Sequence, residues 1–282
     1  GSDSYGQLGD GGIWPDGNTD TNAPSSTAID LGTGRTAVAV SAFGYHTCAI
    51  LDNGDLKCWG RDYYGQLGDG GSNTDTKAPS STAIDLGTGR TAVAVFAGYH
   101  HTCAILDNGD LKCWGYDLYG QLGDGGTNTD TNAPSSTAID LGTGRTAVAV
   151  SGGWHHTCAI LDNGDLKCWG QDNTGQLGDG GSNTNQHSPV AVSGSNTWDS
   201  SSGGSGSGSS GGSGSGSSSP SSFAYANDRM SVGYQHTCAI LDNGDLKCWG
   251  RDLYGQLGDG GSNADTNAPS STAIDLGTGR TA

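Results

Sequence analysis

His46-Thr47-Cys48-Ala49-Ile50-Leu51-Asp52-Asn53-Gly54-Asp55-Leu56-Lys57-Cys58-Trp59-Gly60 decides the fold. Two short apolar-rich runs flank Asp52-Asn53-Gly54, a turn signal that predicts an antiparallel β-hairpin. The same fifteen residues recur unchanged from His101, His156 and His236. Repetition of this kind marks a tandem array in which one supersecondary unit is stacked on the next.

Two further strings extend the unit. Gly-Gln-Leu-Gly-Asp-Gly-Gly starts at Gly6, Gly65, Gly120, Gly175 and Gly255, and Ala-Ile-Asp-Leu-Gly-Thr-Gly-Arg-Thr-Ala starts at Ala28, Ala83, Ala138 and Ala273. Equivalent cysteines lie 55, 55 and 80 residues apart. The unit reads as four strands: Thr91–Val95, Thr102–Leu106, Leu111–Gly115 and Thr82–Leu86. Four strands per repeat of this length suit a propeller blade better than the shorter coils of a β-solenoid. The chain divides into a partial first repeat (1–40), repeats at 41–95, 96–150 and 151–199, a Gly/Ser-rich insertion (200–222) and a fourth repeat (223–282). Ser200–Ser219 contains only Ser and Gly. As a flexible coil it would span roughly 25 Å and act as a tether; a serine-rich glycosylation tract is the alternative.

The turn governs the cysteines. A two-residue Asn53-Gly54 loop sets Cys48 opposite Trp59, whereas a three-residue loop with Gly54 left-handed sets Cys48 opposite Cys58. Directly opposed strand residues are close enough for a disulfide. Four bonds are therefore expected: Cys48–Cys58, Cys103–Cys113, Cys158–Cys168 and Cys238–Cys248. The rival, a zinc site, needs another spacing and two hairpins sharing one ion. Disulfides imply an oxidising compartment, hence secretion or surface display.

Composition narrows the partners. Of 282 residues, 52 are Gly and 32% hydrophobic, which suits many short strands joined by tight turns and argues against helices. A net charge of −17 repels phosphate backbones and anionic lipid, so neither nucleic acid nor a membrane is an expected partner. No apolar run reaches the length of a spanning helix. Lacking an initiator Met and a signal peptide, the chain is expected to be a mature product or a fragment.

His101-Thr-Cys-Ala-Ile-Leu, the Asp-Asn-Gly turn, Cys113-Trp114-Gly115 and Gly120-Gln-Leu-Gly-Asp-Gly, in that order, resemble the repeats of the regulator-of-chromosome-condensation (RCC1) family. The resemblance implies an all-β propeller, commonly seven-bladed, that works through protein–protein contacts. Four hairpins fall short of that number, which implies a partial or open ring, or several chains that complete one another. The founder's nucleotide exchange and chromatin binding do not carry over, because the acidic charge and the cysteines oppose a chromatin-bound nuclear protein. The cysteine-bearing form looks like bacterial extracellular versions, and a propeller that inhibits β-lactamases is another relative.

Residues stamped into every repeat read as structural. His46, His101, His156 and His236 are expected to be hydrogen bonders, and Trp59, Trp114, Trp169 and Trp249 to pack between units. No nucleophile–base pair is unique in the chain, so an enzyme is not expected. The loop holding Asp69, Asn73 and Asp75, repeated as Asp124, Asn128 and Asp130, offers hard oxygens to Ca²⁺, the one cofactor to consider. The same residues form ordinary turns, and later copies carry Asn185 and Ala264.

The repeats differ beside the hairpin. Tyr45, Tyr99, Trp154 and Tyr234 precede it; Arg61, Tyr63, Tyr64, Tyr116, Tyr119, Arg251 and Tyr254 follow it. Such residues anchor interfaces. The expectation is a non-enzymatic extracellular scaffold or adhesion module that binds protein or glycan, or copies of itself, through loops and open strand edges. A lectin-like or inhibitor-type module with one defined ligand is the alternative.

Overall fold

The computed structural model describes residues 2–11, 25–126, 128–194, 229–241, 243–261 and 263–276. The Gly/Ser tract lies outside them. Among the described residues, thirteen strands form four antiparallel sheets. The first holds β1 (Ala37–Phe43), β2 (His46–Leu51) and β3 (Leu56–Gly60); the second β4 (Ala92–Ala97), β5 (His101–Leu106) and β6 (Leu111–Gly115). The third adds a fourth strand, with β7 (Ala147–Gly152), β8 (His156–Leu161), β9 (Leu166–Gly170) and β10 (Gln186–Ala191). The fourth holds β11 (Met230–Val232), β12 (His236–Ile240) and β13 (Leu246–Gly250).

The hairpin register is the one that joins the cysteines. Ile50 pairs with Leu56 and Cys48 with Cys58, while Leu51 and Gly54 close the turn by N–H bonds to the carbonyls of Asp55 and Leu51. Gly54 has φ +82°, the left-handed value that this three-residue loop demands. The other three hairpins repeat the register. All four disulfides form, with Cα separations of 4.0–4.1 Å.

The fourth strand expected at Thr82–Leu86 is not formed. That segment is tied to its sheet by the Ile84 N–H to Leu56 carbonyl bond, and the chain before it by a single Gly60–Thr76 bridge. Pro79 lacks a ladder donor, and Ser80 Oγ accepts the Thr82 N–H, which turns the backbone away from the sheet. The third repeat lacks this Ala-Pro-Ser-Ser detour, so β10 pairs with β9, although its register slips between Gln186 and Val190 around Pro189.

The blades stand side by side in an open arc with their first strands innermost. Each apolar core lies in a seam between two blades, not within one. Cys48, Ile50, Leu56 and Cys58 of the first blade pack on Val95, Ala97, Ala104, Leu106 and Trp114 of the second. The next two seams use equivalent residues. Small inner-strand residues are thereby explained, since two sheets must approach closely along the axis. On the outer side of the first blade, Val38 and Val40 are 49% and 69% exposed.

Candidate functional site

The invariant residues build the seams. Trp114 Nε1 donates to the Gln66 carbonyl of the preceding blade (3.1 Å), and Thr102 Oγ1 donates to the same oxygen (2.7 Å). His46 Nε2 then meets Thr102 Oγ1 at 2.8 Å. Trp169 and Thr157 treat the Gln121 carbonyl likewise, and His101 reaches Thr157. Residues 2–11 seat on the first blade in the same manner, with Gln7 carbonyl accepting from Trp59 and Thr47. These histidines are structural, each serving one seam.

The variable residues converge at the rim where the Trp-Gly end of each hairpin emerges. Tyr45, Tyr99, Trp154 and Tyr234 form one row across four blades, with centroid separations of 5.2, 4.3 and 3.8 Å. Tyr99 Oη also donates to Tyr45 Oη at 3.0 Å. Beside this row, each seam gathers three side chains: one from the preceding blade, one just before the hairpin and one just after it. The first seam holds Tyr5, Tyr45 and Arg61, whose guanidinium lies 4.7 and 5.3 Å from the two ring centroids and 5.7 Å from that of Tyr63. The second holds Tyr64, His100 and Tyr116. The third holds Tyr119 and His155, whose rings touch at 4.7 Å, with the Gln171 backbone N–H donating to the His155 carbonyl. The fourth is polar: Arg251 Nη1 donates to Gln235 Oε1, and Thr174 of the preceding blade fills the repeat position of Tyr64 and Tyr119.

Burial sets the electrostatics of this strip. It pushes His100 and His155 down to about 4, helped at His100 by the nearby Arg61 cation, so both rings are neutral above that range. It pushes the Tyr99 and Tyr116 phenols up to about 12, leaving them as hydrogen-bonding hydroxyls. The strip is thus a neutral aromatic band with a guanidinium at each end. It can bind by ring contact and hydrogen bonding, and it presents no nucleophile–base pair.

The comparisons with known proteins place this architecture. Regulator of chromosome condensation (RCC1) repeat profiles match residues 37–66, 92–121, 147–176 and 229–256, and a second RCC1 profile matches 53–105 and 108–160. The chain belongs to the RCC1 repeat family. It is 32% identical over 234 residues to the ultraviolet-B receptor UVR8 of Arabidopsis thaliana, covering 82% of this chain and 44% of UVR8. It is 27% identical over 261 residues to the human E3 ubiquitin-protein ligase HERC2, covering 93% of this chain and 5% of the ligase. The chain therefore spans less than half the length of these relatives. Among solved structures, human WBSCR16 superposes with a TM-score of 0.69 at 19% identity, covering 96% of this chain and 59% of that one. Yeast RCC1 (Prp20), solved bound to Kap60, gives 0.66 at 17% identity, covering 88% and 50%. These likenesses establish the fold.

Within this RCC1 repeat array, the structure gathers Tyr45, Arg61, Tyr63, Tyr64, Tyr99, Tyr116, Tyr119, Trp154 and Tyr234 into one strip. Arg251 sits at its far end, and Tyr254 stands apart, 82% exposed. His100 and His155 complete the strip and were not among the candidates. They fill the same repeat position as Tyr45 and Gln235, so aligning on that column would have found them. In the loops read for Ca²⁺, Asp69 and Asp124 each accept a backbone N–H two residues on, while Asp75 and Asp130 accept the N–H of Asp62 and Asp117. Asn73 and Asn128 take left-handed φ of 53° and 57°. These residues shape their turns, and among the described residues no three His, Cys, Asp or Glu side chains converge as a metal site.

Proposed function

We propose that the protein is a non-enzymatic, secreted or surface-displayed binding module whose aromatic strip is its recognition face. One observation carries the reading: the repeats are nearly identical, and most of the aromatic positions where they differ beside the hairpin, Tyr254 excepted, converge on one continuous surface. Residues that must stay constant hold the seams, while those free to vary set what the strip meets. Tyr, Trp and Arg are the side chains that dominate protein interfaces. Binding is consistent with the family's yeast member, whose structure was solved with Kap60. The similarity to HERC2 is confined to 5% of that ligase, which gives no ground for assigning a ligase reaction. Eight cysteines, all paired, favour an oxidising location.

The test uses the two exposed rings, Tyr63 (65%) and Tyr234 (42%), because neither makes the Trp, Thr and His hydrogen bonds that join the blades. Purified protein is probed on protein and glycan arrays beside Tyr63→Ser/Tyr234→Ser. Binding that weakens in the variant at unchanged melting temperature supports the strip. Binding that is unaffected rejects it, and capture on the glycan array alone favours the lectin-like alternative.

A further inference from the structure

Resting on that reading, we infer that Arg61 is a carboxylate-binding subsite, and that the strip receives an acidic, aromatic-rich or aliphatic segment of a partner protein. The arginines are held in different ways. Arg35, Arg90 and Arg145 each pair with an aspartate of the hairpin turn, Asp52, Asp107 or Asp162, at 3.3–3.5 Å. Arg251 donates to Gln235. Arg61 alone among these five lies on tyrosine rings, half-buried, and among the described residues no carboxylate lies within ion-pair distance.

Tyr5, Tyr45 and Tyr63 hold the guanidinium by cation–π contact, and among the described residues none of its N–H groups is seen to donate a hydrogen bond. A held guanidinium presents a fork that fits a carboxylate bidentately, with little further loss of side-chain freedom on binding. In a chain of net charge −17 that contact is short-ranged, since at physiological salt the repulsion from distant aspartates is screened beyond roughly 8 Å.

Ring orientation argues for a polypeptide over a sugar. Tyr5 and Tyr45 cross at 69°, Tyr64 and Tyr116 at 50°, and Trp154 and Tyr234 at 56°. Most neighbouring rings meet edge to face or tilted, although Tyr99 and Trp154 stack at 26°, so the ring faces are largely taken up by one another. Edges carry the positive end of the aromatic quadrupole and attract carbonyl and carboxylate oxygens. A sugar platform needs open faces.

The experiment is an array of short acetylated, amidated peptides, each holding one Glu among Leu, Tyr or Trp. Each is printed beside its Gln counterpart and beside oligogalacturonate, and probed at physiological salt. A subset of Glu peptides should be captured, with Gln counterparts weaker by about tenfold or more. Arg61→Gln should abolish that difference and Arg61→Lys should keep part of it, which separates lost charge from lost folding. No capture of any peptide, equal capture of Glu and Gln peptides, a difference that survives Arg61→Gln, or capture of oligogalacturonate alone overturns the inference. If Glu and Gln peptides bind equally but Tyr234→Ser weakens both, the strip stands and only the carboxylate subsite falls.

Discussion

His46 Nε2 and Thr102 Oγ1 meet at 2.8 Å across the seam between the first and second blades. The threonine hydroxyl has one proton, and it goes to the Gln66 carbonyl. The histidine must therefore donate from Nε2, which leaves Nδ1 as a bare lone pair in the seam, where it has no partner.

Replacing Thr102 with Val keeps the shape but strands the histidine donor and weakens the hold on Gln66. Thr102→Val should cost about 1–3 kcal/mol, read as a fall in the denaturant midpoint at unchanged slope. An unaltered midpoint would show that the relay contributes nothing to the seam.

Acid should act first on these seams. Burial lowers His46 and His156 to about 3 and His101 well below the ordinary 6.5. The unfolded chain takes up protons from about pH 6.5 downward while the native seams refuse them, so this stabilisation is complete above 6.5 and is lost as pH falls toward 3. His46→Gln, which keeps a donor without a titrating ring, should flatten the slope of stability against pH between 4 and 6.

Asp62 works in the opposite direction. Its Oδ1 accepts the Leu67 N–H at 2.8 Å, Oδ2 has no partner, and burial raises it to about 7. A raised carboxyl favours folding below the unfolded value near 3.8, and that contribution is lost as pH rises toward 7. Asp62→Asn should be more stable than the parent at pH 8 and no more stable at pH 4, measured by thermal melting at both.

A glycine pair separates backbone strain from a clash. Gly68 has φ +73°, and a Cβ there would lie 2.3 Å from Trp114 Nε1; Gly89 has φ +70° and open space around it. Gly89→Ala should cost only the left-handed penalty of about 1–2 kcal/mol. Gly68→Ala should cost distinctly more and displace Trp114, visible as a shift in tryptophan fluorescence.

Each disulfide closes a short loop of its own hairpin. Cys103→Ala/Cys113→Ala should lower stability by roughly 2–3 kcal/mol in denaturant unfolding while leaving the other three bonds intact by non-reducing peptide mapping.

The hairpins, their turn type and the cysteine pairing were legible because local chemistry fixes them: only Gly54 in a left-handed conformation lets Cys48 face Cys58. Trp and His could be read as structural from their recurrence. The outer strand is where composition and structure part. Thr82–Leu86 has strand composition, but Pro79 and the Ser80 turn break the ladder before it begins. The strip was half legible. Tyr45, Tyr99 and Trp154 announced themselves by type, yet their mutual contact depends on how blades lie side by side, and His100 and His155 were hidden among the structural histidines.

Because the Gly-Gln-Leu-Gly string of one blade seats on the tryptophan of the next, every joint is cut from the same template. Deleting or inserting a whole 55-residue unit would therefore leave matching surfaces on both sides of the cut. The length of the arc, and with it the order of Tyr, His and Arg along the rim, can then be reshuffled without inventing a new joint.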